Sequence, residues 1–540
     1  MPLSGTSRAG ATPLGAEATS AESCPFAFST NLRTISQRLV AIDALAPYGA
    51  AVRLATWAAP PLSARALAVA VAAALAVLVL SFESAVRPVE SVAGSDVTLY
   101  EGYGSRLLDG AMPYRDFPME YPPGATAMFV LPATSIVEGG SGDAASWSPP
   151  NSRARRYYRG FTSLVLVLLA TTLVVTALTL RRMQRPAYST LLALAVVALS
   201  PLLIGQVLSE RFDILPAALT AAALAVAVRG QYLAGAVFLG LGAATKVYPA
   251  LLVPVLMLLA LREGRVRKTV GIAATAAASA LAVFLPFALV SPLGTWDSVR
   301  NQFRSGLQIE SFPSSLLVMA YHAGEQIPAL GLPSHSELKT VGAGGGLIRL
   351  VLAGPGVTTT ENVAKALLVV ALALLFWRLF RSTHDPREDL LRYSAGAVAI
   401  LLVFGTVLSP QYIVWLVPLV PLVGGRRGLL ATTSFVMAAG LTNVWIPERY
   451  FDYQGGLDAG PAALLLARNL ALLVTAAVLV LPTWRVRSSW VLLGRWTSGA
   501  VDRSRVRRRA IRHMGKAREG RDSNPRFTPE IRRPPYRATG

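Results

Sequence analysis

Apolar residues in this chain come in long unbroken blocks, not in the one-in-three or alternating rhythm of a half-buried soluble element. The runs 66–82 (ALAVAVAAALAVLVLSF), 161–180 and 461–482 carry at most one charge each, and lie near the roughly 20 residues that cross a bilayer core as a helix. Further apolar stretches fall at 122–137, 188–208, 213–228, 232–246, 248–261, 270–290, 361–380, 393–409, 410–423 and 428–446. The pattern predicts an all-α, polytopic transmembrane helical bundle, because only helices satisfy their own backbone groups inside lipid when no barrel pattern is present.

The polar islands between these blocks set an orientation. The basic connections LREGRVRK (261–268) and GGRRG (424–428), with the tail after Trp484, belong on the cytoplasmic side. Counting back from the tail puts 447–460, the SPQY turn at 409–412, 291–360, the Lys246 turn and the Arg211–Asp213 turn on the outside. Counting forward from the N-terminus puts 83–121 outside as well. Thirteen apolar stretches are odd in number while both termini read as cytoplasmic, so one stretch does not cross. The weakest is 122–137, short and interrupted by Pro122, Pro123 and Pro132. About 12 spans result, and one of the clusters RARRYYR (153–159) and RRMQR (181–185) must then lie outside against the charge rule.

Composition agrees with this. Of 540 residues, 53% are apolar and only 15% charged, against about 25% in a soluble chain. The formal charge is +21, but from Arg485 onward 16 Lys/Arg meet 4 Asp/Glu, so +12 of it sits in one tail. Cations flanking membrane spans report orientation and contact with membrane lipids rather than nucleic-acid binding. The single cysteine, Cys24, excludes a disulfide framework. The domain reading is a disordered cytoplasmic leader (1–65), a transmembrane domain (66–484) with external loops 83–121 and 291–360, and a basic cytoplasmic tail (485–540), in a plasma-membrane protein.

Candidate chemistry concentrates in the first loop, SDVTLYEGYGSRLLDGAMPYRDFPMEYPPG (95–124), rich in acids and aromatics. Tyr100, Tyr103, Leu107 and Leu108 recur at helical spacing, predicting an amphipathic helix over 97–109 that Gly110 stops. Asp96 stands at the N-cap position, where it either caps the helix or serves as a general base partly desolvated at the membrane surface. Asp116 and Glu120 are further candidates, and Arg115 either binds phosphate or pairs with Asp116. Ionisable residues between apolar runs are costly and mark functional cavities. Here they are Glu210, Arg211, Asp213 and Lys246; Arg211 and Asp213 could alternatively pair as helix-end anchors, and Lys246 could snorkel. The sequence has no G-x-x-x-x-G-K-[ST] and no H-E-x-x-H, and the glycine-rich VGAGGGLIRL (341–350) lacks dinucleotide-binding spacing. His322, in the second loop, reads as a surface histidine.

The run DVTLYEGYGSRLLDGAMPYRDFPMEYPPGA resembles the first loop of membrane-embedded GT-C glycosyltransferases, and specifically glycosyltransferase family 87, proteins like polyprenol-phosphate-mannose-dependent α-mannosyltransferases. ERFDILPAALTAAALAVAVRG (210–230), LAGAVFLGLGAATKVYPALLVPVLML (233–258) and LSPQYIVWLVPL (408–419) agree in order and spacing. The resemblance implies a GT-C bundle and inverting transfer of a hexose, mannose by analogy, from a polyprenyl-phosphate donor to a glycolipid or polysaccharide on the extracytoplasmic side, with no cofactor. It implies Asp96 as the base and Arg211 and Lys246 as cations for the leaving lipid phosphate. Arg115, Asp116, Glu120, Tyr121, Asp213, Tyr248 and Gln411 join them as substrate-binding candidates on the matching segments. The competing readings are a secondary transporter or flippase using Arg211, Asp213 and Lys246, although no paired halves are visible, and a structural subunit of an envelope-building complex.

Overall fold

The computed structural model describes residues 60–88, 95–137, 152–302, 306–342 and 350–482. The leader and tail expected over 1–65 and 485–540 lie outside these, apart from 60–65. Helix α1 (Ala64–Ala85) is capped by the Ser63 side chain, which accepts from Ala66 N–H. Then come α2 (Asp96–Leu108), α3 (Thr126–Val137), α4 (Ser152–Arg182), α5 (Ala187–Ile204), a single helical turn Gln206–Ser209, α6 (Ile214–Ala227) and α7 (Tyr232–Thr245). A tight turn Tyr248–Leu252 leads into α8 (Val253–Arg262), followed by α9 (Val266–Val290), α10 (Pro292–Arg300) and α11 (Phe312–Gln326). Strands β1 (Lys339–Gly342) and β2 (Leu350–Ala353) pair antiparallel, Lys339 opposite Ala353. Helices α12 (Val357–Phe380), α13 (Pro386–Phe404), α14 (Gly425–Trp445), α15 (Glu448–Gly456) and α16 (Ala459–Val480) complete the chain.

Among the described residues, seven helices are long and apolar enough to cross a membrane: α1, α4, α5, α9, α12, α14 and α16. Four shorter apolar segments lie among them, Ile214–Ala227, Tyr232–Thr245, Tyr248–Arg262 and Pro410–Leu422. The protein is thus a polytopic helical membrane protein, with the β1–β2 hairpin as a small departure from the all-α expectation. From the glycine-rich segment, Val341, Gly342 and Leu350 pair in that hairpin, and the second loop also carries α10 and α11.

The doubtful stretch at 122–137 is explained by α3. Twelve residues make about 18 Å of helix, short of a bilayer core, and Pro132 interrupts the backbone ladder. Helix α3 instead lies under α2, where Gly104 lets the two backbones meet: a Cβ there would collide with the Phe129 carbonyl. The two arginine clusters turn out to be opposite ends of one helix. Helix α4 has 31 residues, about 46 Å at 1.5 Å each, and so places RARRYYR and RRMQR at opposite faces of the bundle. At the first of these, Arg153 is held by Glu101 of α2 at 3.1 Å and by Ser105 at 2.8 Å.

At the bundle's other end a second polar layer forms. Arg185 makes a two-pronged contact with Glu388 at 2.8 Å, Arg262 pairs with Asp389 at 2.7 Å, and Lys268 donates to the Gly230 carbonyl at 3.1 Å. Between the layers runs one continuous apolar core, to which α1, α4, α5, α6, α13 and α14 all contribute. A second, smaller core of Leu307, Val318, Tyr321, Leu338, Leu352, Trp445, Tyr453 and Leu457 joins α11, the hairpin, α15 and the end of α14.

Candidate functional site

The site is assembled where several elements end together. Helix α2 begins at Asp96, but its cap is Ser95, whose side chain accepts from Val97 N–H at 3.3 Å. The N-cap reading of Asp96 is thereby corrected: a neighbour supplies the cap, and the Asp96 carboxylate is 2.8 Å from the Arg211 guanidinium. Tyr100, one turn along α2, directs its hydroxyl at Asp96 at 3.4 Å. Burial, followed by the charge of Asp96, pushes the Tyr100 phenol well above its ordinary value, so it remains a proton donor there. Tyr100 and Tyr121 pack edge-on to one another and against Phe212. Gly110 follows the helix at φ +84°, the left-handed stop that the sequence suggests.

Arg211 and Asp213 sit on the short connection between the Gln206–Ser209 turn and α6, and they do not pair with each other. Asp213 occupies the start of α6 without capping it; its carboxylate meets Lys246 at 2.9 Å and accepts from Trp415 Nε1 at 2.8 Å. Lys246 is the extended residue that ends α7. It neither snorkels nor opens outward: it is 7% exposed and its ammonium stands 4.9 Å from the Phe212 ring centre, 4.8 Å from Tyr412 and 5.7 Å from Trp415. The acid that Lys246 lacks in sequence is supplied in space.

The aromatic wall around Lys246 has a backbone cause. Pro410, Pro418 and Pro421 remove backbone donors, and Pro410–Leu416 and Val420–Leu422 wind as tighter three-residue turns instead of α-helix. Such winding eclipses side chains three apart, which lays Tyr412 on Trp415 with ring centres 4.1 Å apart. Tyr248 stacks on the same indole, also at 4.1 Å, and shares a hydrogen bond with Thr220 at 3.1 Å. Gly124 brings the Pro123–Ala125 turn onto the end of α7, where a Cβ would lie 2.6 Å from the Ala244 carbonyl oxygen.

Beside this wall opens a cavity of about 350 Å³. Its polar lining includes Arg87, Asp96, Gln206, Glu210, Arg211, Gln308, Glu310, Ser409 and Gln411; Val207, Ile446, Tyr450 and Phe451 are among its apolar lining. Arg87 and Glu210 face each other in a two-pronged pair at 2.8 and 2.7 Å. Gln308 donates to Ser409 at 2.9 Å. Two guanidinium groups therefore border the cavity, each balanced by a carboxylate, while Lys246 and Asp213 form a pair in the layer behind.

The structure thus brings Asp96, Arg211 and Gln411 to one cavity, and sets Asp213, Lys246 and Tyr248 into its support. Tyr121 joins the aromatic packing beneath Asp96, and the Glu120 carbonyl accepts from Gln302 at 2.9 Å. Arg115 and Asp116 are not brought in: they pair with each other at 2.7 Å on the exposed surface, and the pairing holds the Asp116 carboxyl down to about 2. Sequence reasoning passed over Arg87, Gln308, Glu310 and Trp415. Arg87 reads as an ordinary flanking charge beyond α1. Trp415 lies inside the LSPQYIVW segment and was within reach of that signal, whereas Gln308 and Glu310 carry none, since only the tertiary fold returns the second loop to the site. His322, expected at the surface, is instead buried, with Nε2 2.9 Å from the Leu457 carbonyl.

The arrangement can hold an anion on guanidinium groups and present a carboxylate beside it in a mixed polar and apolar cavity. Residues 120–410 match the model of glycosyltransferase family 87. A solved structure, ArnT from Cupriavidus metallidurans bound to undecaprenyl phosphate, aligns at 14% identity over 76% of each chain with a TM-score of 0.38. No curated protein matches the chain.

Proposed function

Because the chain belongs to glycosyltransferase family 87, we propose that this membrane glycosyltransferase moves a hexose, mannose by family analogy, from a polyprenyl-phosphate donor to a hydroxyl of a glycolipid or polysaccharide. The observation that carries the reading is the Asp96–Arg211 pair at the cavity edge, 2.8 Å apart. A lipid phosphate entering the cavity competes with Asp96 for Arg211, since both are anions seeking one guanidinium. Its arrival leaves the Asp96 carboxylate free to take the proton of the acceptor hydroxyl. The acceptor oxygen then attacks the anomeric carbon from the face opposite the phosphate, the sugar–phosphate bond breaks, and the electron pair leaves with the phosphate. Arg211, with Arg87 nearby, stabilises that charge in a site lined partly by apolar side chains. One displacement inverts the anomeric centre. Lys246, Asp213, Tyr248 and Trp415 fix the position of the Arg211 connection, and Gln411 offers an amide to the sugar.

On this reading the site face is extracytoplasmic. The opposite face carries the basic connections around Arg262–Lys268 and Gly424–Arg427, the pattern of a cytoplasmic side. Among the described residues, seven long helices, four shorter apolar segments and α13 would give twelve passes, a number that supports the reading of both termini in the cytoplasm of a plasma-membrane protein. Asp96→Asn, expressed normally in membranes, should lose about 10²–10⁴-fold in transfer rate. Full retained activity would remove Asp96 as the base.

A further inference from the structure

The second loop contains a group of side chains that the transfer reaction does not use. His322 and Glu325 lie three residues apart on α11 and so project from one face. Beyond α11 the chain reverses through Gly331, at φ +60°, and Ser334 caps the short turn His335–Glu337. That reversal lays the His335 ring on His322, centres 4.2 Å apart. His335 Nδ1 stands 2.7 Å from both Glu325 oxygens, and His322 Nδ1 is 3.8 Å from Glu325 Oε2. One ligand atom from each of the three residues lies within 4.8 Å of the others.

The tautomer of His322 points the same way. Its Nε2 is 2.9 Å from the Leu457 carbonyl oxygen; a carbonyl only accepts, so Nε2 carries the hydrogen and Nδ1 keeps its lone pair toward Glu325. A metal-bound imidazole has this arrangement, with the ring nitrogen away from the ion donating to a carbonyl or carboxylate. Ser334 O–H and the His335 backbone N–H both donate to Glu325, which fixes its carboxylate between the two rings. A buried imidazole, a half-exposed imidazole and a carboxylate are a borderline donor set, which suits zinc among divalent ions.

We propose that His322, Glu325 and His335 bind one divalent metal ion, zinc by donor chemistry, which ties the 328–337 reversal to α11. Through Leu457, the left-handed cap of α15, the ion also braces the helix whose Tyr450 and Phe451 line the cavity. Zinc–nitrogen bonds of about 2.0 Å in a tetrahedral site need ligand atoms roughly 3.3 Å apart, so His335 and Glu325 separate by roughly 0.6 Å on binding. Three protein ligands leave the fourth position to water.

The test uses full-length protein purified in detergent, stripped with chelator, loaded with zinc chloride and dialysed against metal-free buffer. The proposal expects one tightly held zinc per chain and a higher thermal midpoint with zinc than without. His335→Gln and Glu325→Gln should each lose the bound zinc and the midpoint shift, whereas His384→Gln, outside the cluster, should keep both. A wild-type chain that retains no zinc overturns the proposal, even if the variants fail to fold. So does equal retention by wild type and the two ligand variants. Neither readout depends on sugar transfer, so the result stands apart from the proposed reaction.

Discussion

At the scale of single residues, the site is a set of matched charges whose partners lie far apart in the chain. Asp96 meets Arg211, Arg87 meets Glu210 and Asp213 meets Lys246. The last pair is the most deeply buried, with side chains 1% and 9% exposed. Leaving either charge alone there costs about 3–5 kcal/mol, because the survivor remains desolvated without a counter-ion. Lys246→Met and Asp213→Asn should therefore each lower the thermal midpoint strongly, while the double variant regains part of the loss; thermal unfolding in detergent measures this as a coupling. Additive losses would show that the pair is not an energetic unit. Arg211→Gln should behave differently, cutting kcat by about 10²–10³-fold through lost charge stabilisation, with the midpoint changed less than in the Lys246 variant.

At the scale of elements, the sequence shows where apolar segments run but not how tightly they wind. The block 410–423 has the hydropathy of a helix, and only its three prolines signal the three-residue winding that stacks Tyr412 on Trp415. The amphipathic character of α2 was legible from Tyr100 and Tyr103, both buried, and so was its glycine stop. Its cap was not, because Ser95 and Asp96 are both good caps and only the position of Arg211 decides between them. The contact between the Pro123–Ala125 turn and α7 was likewise hidden, since it depends on an absent side chain. Gly124→Ala should place a methyl against the Ala244 carbonyl and lower both stability and transfer. Gly102→Ala, in open space on α2, should be neutral or slightly stabilising, as expected for alanine in a helix interior. Equal effects at the two glycines would contradict the packing argument.

At the scale of the whole molecule, the parity conflict in the sequence had a structural origin. Helix α3, shorter than the apolar segments counted as passes and interrupted by Pro132, packs against α2, and a single helix, α4, carries arginine clusters at both ends, so a charge rule applied to each cluster separately gives incompatible answers. What could not be read from the chain was that residues 306–310 fold back over the Asp96 end, because nothing local in a polar loop specifies a contact with a helix end some two hundred residues earlier. Topology is open to direct test. After Cys24→Ser removes the native thiol, a membrane-impermeant maleimide applied to intact cells should label Ala329→Cys on the site face. It should spare Thr383→Cys at the other end, and the reverse pattern would invert the assignment.

The central claim is that the cavity takes a lipid-linked sugar and transfers it. Membranes containing the protein, supplied with a radiolabelled polyprenyl-phosphate hexose and an endogenous acceptor, should yield a labelled glycoconjugate of inverted anomeric configuration, and Asp96→Asn membranes should not. Label that moves across the membrane without any new glycosidic bond, or that is transferred from a soluble nucleotide sugar instead, would contradict the account.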